Sequence, residues 1–351
     1  MTVLDQAMRQ LGRPALRTCL KTIAALLIFT VLLDFGSSIR GTGNDFRGTQ
    51  NGIYEASIAK VSMLYGPPNP LYTRALATHE VHNANFGYPF FVLREQLLPG
   101  YWSKPAYILR LLLTELEKPE AQRLKWLMWV DGDTVIMNPK IPLDIFLPPS
   151  EDKAWSHVHL VVTNDHRGLN NGVFFLRVHE WSVWLMNSCL NTQIHQPDLD
   201  LEFGDQSALQ YWLHEVENFK NNTIHVPQRW FNAYAGYRGA ETDLFADPLQ
   251  PSYKYKVNSV KEGDLLVHHA GHKSLRAQRM LPWLEAAEQH LPSWELQLEE
   301  TDYSKEIAEF WAKDAKHEGK VVNDIRKTVE LIAKKKKSAK EKAQSSEKQK
   351  T

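Results

Sequence analysis

The sequence predicts an α/β protein with a mainly parallel central sheet, and three observations carry that prediction. Short apolar runs bounded by Gly, Pro, Asn and Asp recur through the middle of the chain, each with the length of a buried strand. Between the first three of them lie segments whose apolar residues repeat at helical spacing, the alternation that builds parallel βαβ units. At 351 residues, 43% apolar and 11% aromatic, the chain can bury a large core and is unlike a disordered or fibrous protein.

Residues 58–65 form the first predicted strand, ended by Gly66-Pro67-Pro68. Residues 71–83, with Leu76, His79 and Val81 among polar neighbours, read as a helix, and residues 88–93 (YPFFVL) as a second strand. Residues 107–116 place Leu109, Leu112, Leu113 and Leu116 at helical spacing after Lys104-Pro105, proline being favoured in a first turn. Residues 126–130 (WLMWV) are apolar throughout, which suits a strand buried on both faces and also a buried helix segment. Further on, residues 159–163 suggest a strand, and residues 169–177 (LNNGVFFLR) read as an Asn-Asn-Gly turn leading into another. Residues 180–190 carry Trp181, Trp184 and Leu185 on one helical face. Residues 205–213 read as a helix with Asp205 near its N-terminus, where the helix dipole favours a carboxylate. Residues 263–272 (GDLLVHHAGH) form a strand ending in a histidine cluster, and residues 283–311 have amphipathic helical spacing.

The two ends differ from this body. Arg9, Arg13, Arg17 and Lys21 precede an uninterrupted apolar run at 22–33, a membrane-targeting pattern. The preferred reading is an uncleaved signal anchor over 19–35, with 1–18 cytosolic and the rest luminal because the basic residues precede the span. A cleaved signal peptide, with Gly36-Ser37-Ser38 after its core, and a buried amphipathic helix stay open as alternatives. Residues 36–52 then form a stem linker, 53–300 the folded domain, and 301–351 a C-terminal helix and lysine-rich tail. Residues 321–351 hold ten Lys or Arg against four Asp or Glu, so the formal net charge of zero combines a mildly acidic body with a basic tail; no nucleic-acid partner is expected. Cys19 and Cys189 do not make a disulfide framework. Asn221-Asn222-Thr223 is an N-glycosylation sequon, meaningful where that region is luminal.

Chemistry concentrates where the third predicted strand ends. Asp131 and Asp133 follow WLMWV one residue apart, and open α/β sheets bind ligands at the carboxyl ends of their strands. Alternation along an extended chain turns residues i and i+2 to one side, so both carboxylates can reach one hard divalent cation, with Gly132 letting the backbone come close. Asp-Gly also makes ordinary turns, and from spacing alone the two readings are balanced.

The order and content of the motifs resemble the Golgi α-glycosyltransferases that group fungal α-1,2-galactosyltransferases and α-1,6-mannosyltransferases with plant xyloglucan xylosyltransferases. The resemblance covers about residues 60–281, in the blocks WSKPAYILRLLL, WLMWVDGDTVIMNP, LNNGVFFLR followed by EWS, GDQSAL, RWFNAY and GDLLVHHAGH. It implies a GT-A fold, an α/β nucleotide-sugar-binding sandwich, and a retaining transfer of a hexose from UDP-galactose or GDP-mannose to an oligosaccharide or glycoprotein glycan, with Mn2+ neutralising the diphosphate leaving group. It further implies a single-pass type II protein of the Golgi membrane with its catalytic domain luminal, working in a complex with related transferases.

Carried onto this sequence, the resemblance makes Asp131 and Asp133 metal ligands and adds His268 of GDLLVH as the third, the alternative being a core histidine at a strand end. His269 stands where the family usually has Phe, and His272 where it often has Cys. Lys273, Gly271 and Lys104 are expected at the nucleotide diphosphate, with Arg110 in the same block either there or on a solvated helix face. Asp205 and Gln206 are the candidates for the group opposite the leaving diphosphate, as nucleophile or electrostatic support; an N-cap and a surface glutamine are the structural alternative. Asn170 and Asn171 are candidates for hydrogen bonds to sugar hydroxyls, or for turn chemistry alone. Trp102, Trp230, Phe231 and Tyr234 either stack on sugar rings or fill the core. Two other classes stay in view: a catalytically inactive binding subunit of a Golgi complex, expected to lack Asp131, Asp133 or His268, and a phosphatase or nuclease, expected to offer more strand-end carboxylates.

Overall fold

The computed structural model describes residues 57–165, 167–235, 248, 259–271 and 273–314, the side chains of Lys273 and Asp314 excepted. The predicted cytosolic segment, signal anchor and stem linker, His272 and the tail beyond residue 314 lie outside the described residues. No helix among the described residues is long and apolar enough to cross a membrane.

Strand and helix alternate first. Strand β1 (Ile58–Met63) leads to helix α1 (Pro70–Phe86), which starts where the Asn69 side chain accepts from Leu71 N and Pro70 takes the first turn, and stops at Gly87 with φ 68°. Strand β2 (Phe90–Leu93), helix α2 (Ser103–Leu116) and strand β3 (Trp126–Val130) follow. Both β2 and β3 pair with β1 in parallel, as the alternation predicts. Beyond them come β4 (Thr134–Ile136), β5 (Leu160–Asp165), β6 (Gly168–Arg177), α3 (Glu180–Leu190), α4 (Thr192–His195), α5 (Asp205–Glu215), α6 (Glu217–Asn221), β7 (Thr223–Val226), β8 (Leu266–His268), α7 (Arg276–Glu288) and α8 (Tyr303–Asp314).

The main sheet has the order β2-β1-β3-β6-β5-β7, and β4 pairs with β8 in a second, two-stranded sheet. In the main sheet β6 runs antiparallel to both neighbours while the remaining pairings are parallel, so the α/β sheet is mixed and mainly parallel. Strand β3 lies inside it, and its continuous apolar run follows from burial on both faces. Trp126, Met128 and Val130 enter one core with Phe146, Trp230 and Phe231; Leu127 and Trp129 enter the other with Tyr107, Leu112 and Leu185. Helix α8 belongs to the first core through Tyr303, Phe310 and Trp311.

Three sequence expectations need correction. Asn170, Asn171 and Gly172 are not a turn: they lie in β6, where Asn170 pairs with Thr163 of β5, Gly172 O accepts from Asp131 N at 2.8 Å, and the register with β5 shifts just beyond Asn170. The chain reverses earlier, with Asp165 opposite Gly168, and Gly168 supplies a positive φ (114°). The helical stretch 283–311 is two helices, since α7 already begins at Arg276 and ends at Glu288, before Pro292, which has no N–H to continue an α-helical ladder. Of residues 263–272 only Leu266–His268 is strand, held to Thr134–Ile136.

Candidate active site

Strand pairing brings distant residues together at the carboxyl end of β3. The chain leaves β3 through Asp131-Gly132-Asp133 and enters β4, whose antiparallel partner β8 sets His268 opposite Thr134. His269 N donates to Asp133 O at 2.9 Å and His268 N to Ala233 O at 2.7 Å, so the His268 backbone is fixed on two sides. As a result Asp131, Asp133 and His268 offer ligand atoms all within 4.8 Å of one another. Asp133 and His268 are buried and Asp131 half-buried, a donor set of carboxylate oxygens and an imidazole nitrogen that fits a divalent ion such as Mn2+.

His268 reaches this place because Gly172 has no side chain. A Cβ on Gly172 would lie 2.1 Å from His268 Cε1, so the imidazole occupies the room that any larger residue needs. The close approach predicted at Gly132 is not there: a Cβ on Gly132 would meet nothing nearer than Met63 O at 3.8 Å.

Electrostatics around the carboxylates are set by two cations. Lys104, expected at the nucleotide, is buried and turned inward: its Nζ donates to Asn171 O at 2.6 Å and Asp131 Oδ1 at 3.1 Å, and lies 3.7 Å from Asp205 Oδ2. Trp129 Nε1 also donates to Asp131 Oδ1, at 2.7 Å. Arg276, which sequence reading missed, lies 3.1 Å from Asp133 Oδ2 and donates to Tyr72 Oη at 2.9 Å. Burial alone would push the Asp133 carboxyl up, but positive charge beside it, on the His268 ring when that ring is protonated and on the Arg276 guanidinium, outweighs that and holds it low. Asp205 shifts the other way, pushed up by burial and by Asp131 against the pull of Lys104.

The remaining predicted residues divide between site and scaffold. Asp205, at the first turn of α5, is buried, and its Oδ2 accepts from Asn171 Nδ2 at 2.7 Å. Half-buried Gln206 accepts from Asn171 N at 3.2 Å through Oε1. Asn170 is buried and donates to Tyr234 Oη at 2.7 Å and Asp165 Oδ2 at 3.2 Å. Gly271 is exposed with φ 73°, and Lys273 opens a 3-10 turn, Lys273–Leu275. Arg110 is exposed and packs its guanidinium 4.9 Å over the Tyr107 ring, the solvated alternative. Trp230 and Phe231 are fully buried core rather than a stacking surface. Arg229 of the same block bonds Asp264 and Glu306, tying the RWFNAY segment to the approach of β8 and to α8. His269 is also wholly buried, with neither ring nitrogen hydrogen-bonded, and burial drives it to about 3, a neutral ring edge-on to Trp283 in a position suited to Phe.

Sheet and site together define an α/β protein whose strand ends offer oxygen and imidazole donors suited to a hard cation, with Arg276 beside them. Residues 145–278 match the galactosyl transferase GMA12/MNN10 family, and with the two yeast relatives below this match supports the resemblance read from the motifs. It is 26% identical over 216 residues to a probable α-1,2-galactosyltransferase, gmh1, of Schizosaccharomyces pombe, covering 53% of this chain and 58% of that one. It is 22% identical over 235 residues to an uncharacterized α-1,2-galactosyltransferase of the same yeast, covering 58% of this chain and 57% of that one. The match thus spans less than two thirds of either relative. Among solved structures it is similar to a glycosyltransferase involved in the glycosylation of the major capsid of PBCV-1, with 16% identity and a TM-score of 0.46 over 66% of this chain and 98% of that one. It is also similar to galactosyltransferase LgtC in complex with donor and acceptor sugar analogs, with 13% identity and a TM-score of 0.40 over 66% of this chain and 95% of that one.

Proposed function

We propose that the chain is a retaining α-glycosyltransferase of GT-A type that moves galactose or mannose from a nucleotide sugar to a glycan acceptor. The observation that carries this reading is the convergence of Asp131, Asp133 and His268 at the end of β3, in a chain whose residues 145–278 match the galactosyl transferase GMA12/MNN10 family. In this reading those residues hold Mn2+, which when bound supplies positive charge to the diphosphate leaving group without proton transfer. Arg276 beside Asp133 and Lys273 after Gly271 supply further charge for phosphate oxygens. Gln206 and Asn171 face the sugar, and Asp205 holds the Asn171 amide in place while adding negative charge beneath it.

The donor is tested by product release with UDP-galactose, GDP-mannose and UDP-xylose, with the product's anomeric configuration read by NMR. A hexose donor and an α-linked product are expected; a β-linked product rejects retention, and no turnover of any donor by the folded chain favours a binding subunit instead. The proposed location is the Golgi membrane, type II, with the folded domain luminal. Asn221 is exposed, as a glycosylation acceptor must be. In sealed vesicles the domain is expected to resist added protease and to carry a glycosidase-sensitive glycan at Asn221. Digestion of the domain without detergent contradicts that topology.

A further inference from the structure

The His268 imidazole makes one polar contact from each ring nitrogen. Nδ1 lies 2.7 Å from Asn232 Oδ1, and Nε2 lies 3.4 Å from Asp133 Oδ1. Which nitrogen carries the proton follows from a chain of contacts that starts at a backbone N–H. Gly172 N donates to Asn170 Oδ1 at 3.0 Å, and since a backbone N–H can only donate, that Asn170 atom is the carbonyl oxygen. The Asn232 atom 3.0 Å from it must then be a donor, the amide nitrogen, which also donates to Thr163 Oγ1 at 2.8 Å. This turns the Asn232 carbonyl oxygen toward His268, and an oxygen with no proton to give requires the hydrogen on Nδ1. In the neutral ring Nε2 is left with its lone pair facing a carboxylate oxygen, two acceptors with no proton between them. A cation shared by both resolves that clash.

We propose that Asn232 is a positioning residue that holds His268 as the Nδ1–H tautomer and so presents Nε2 as a metal ligand; this rests on the metal-dependent reading of the site. Asn232 is wholly buried and links β5, β6 and β8 through Thr163, Asn170 and His268. Its role is that of an outer partner which sets the tautomer and orientation of a ligating imidazole, and removing such a partner weakens metal binding by about 10–100-fold.

The test uses the full chain and Mn2+ alone, following free Mn2+ by EPR in the wild type, Asp133→Ala, Asn232→Leu and Asn232→Asp. Wild type is expected to bind, Asp133→Ala to lose binding, and Asn232→Leu to bind about 10–100-fold more weakly at an otherwise cooperative thermal transition. Asn232→Asp keeps an oxygen acceptor for the Nδ1 proton and is expected to recover most of the affinity, a rescue that a purely structural role does not give. Nitrogen-15 correlation spectra of the metal-free wild type, taken at a pH where the ring is neutral, should show His268 protonated at Nδ1 only; because this needs no variant, it decides the matter even where Asn232→Leu fails to fold. A neutral ring protonated at Nε2 overturns the proposal, as does wild-type Mn2+ affinity in folded Asn232→Leu. If Asp133→Ala binds Mn2+ as well as the wild type does, the metal-site reading has failed and the proposal falls with it. Loss in Asp133→Ala beside full binding in Asn232→Leu rejects the role of Asn232 alone.

Discussion

Alanine at Gly172 is expected to displace the His268 imidazole and lower nucleotide-sugar turnover by about 10–100-fold, the usual cost of disturbing the support of a metal ligand. The added Cβ would lie 2.1 Å from Cε1, 2.8 Å from Nε2 and 2.9 Å from Nδ1. Retreat is blocked on two sides: the His268 backbone N donates to Ala233 O, and Nδ1 is held by Asn232. Something must shift, and overpacking of this kind costs about 1–3 kcal/mol of stability. Steady-state kinetics and urea unfolding measure the two effects. Gly132→Ala is the control, since its Cβ meets only Met63 O at 3.8 Å, and it is expected to leave stability within about 1 kcal/mol of wild type despite lying between the two aspartates. Equal behaviour of the two variants would remove Gly172 from the account.

Lys104→Met is expected to destabilise the protein by about 3–5 kcal/mol, because it leaves buried carboxylate charge without its partner. The Lys104 side chain is 5% exposed and stands between Asp131 and Asp205, with the Trp129 ring 4.9 Å from its ammonium. Removing one of those charges as well should restore part of the loss: Lys104→Met with Asp205→Asn is expected to be more stable than Lys104→Met alone. A double-mutant cycle by chemical denaturation measures the coupling. Additive effects would show that Lys104 and Asp205 do not compensate each other, and that Lys104 acts outward on a ligand, as its position in the sequence first suggests.

The strand that carries the site was legible because β3 is buried on both faces, which leaves an apolar residue at each of its positions. The two aspartates were legible as a pair at its end, though their meaning was not: spacing serves a turn as well as a metal. What separates the two readings is the pairing of β4 with β8, a contact remote in sequence, so His268 entered the prediction through family resemblance rather than through periodicity. Asn170-Asn171-Gly172 misled for a definite reason. Local turn preference is worth little beside the pairing of β6 with β3 and β5 on either side of this stretch, and the glycine is there to admit an imidazole from β8. Asn232 and Arg276 were missed, the first hidden among the aromatics of RWFNAY and the second in an amphipathic helix. A polar residue enclosed by Trp230, Phe231 and Tyr234 was the available signal for Asn232; for Arg276 the sequence held none beyond its nearness to the histidine cluster.

If the Asp131, Asp133 and His268 cluster holds a divalent ion, sugar transfer depends on that ion. The most direct measurement is turnover of UDP-galactose and GDP-mannose by the purified chain, with Mn2+ and with chelator, in wild type and in Asp133→Ala. Turnover of one of these donors by wild type with Mn2+ is expected, with loss of it in chelator and loss of it in Asp133→Ala at any Mn2+ concentration. Full activity in chelator, or an active Asp133→Ala, would contradict that dependence.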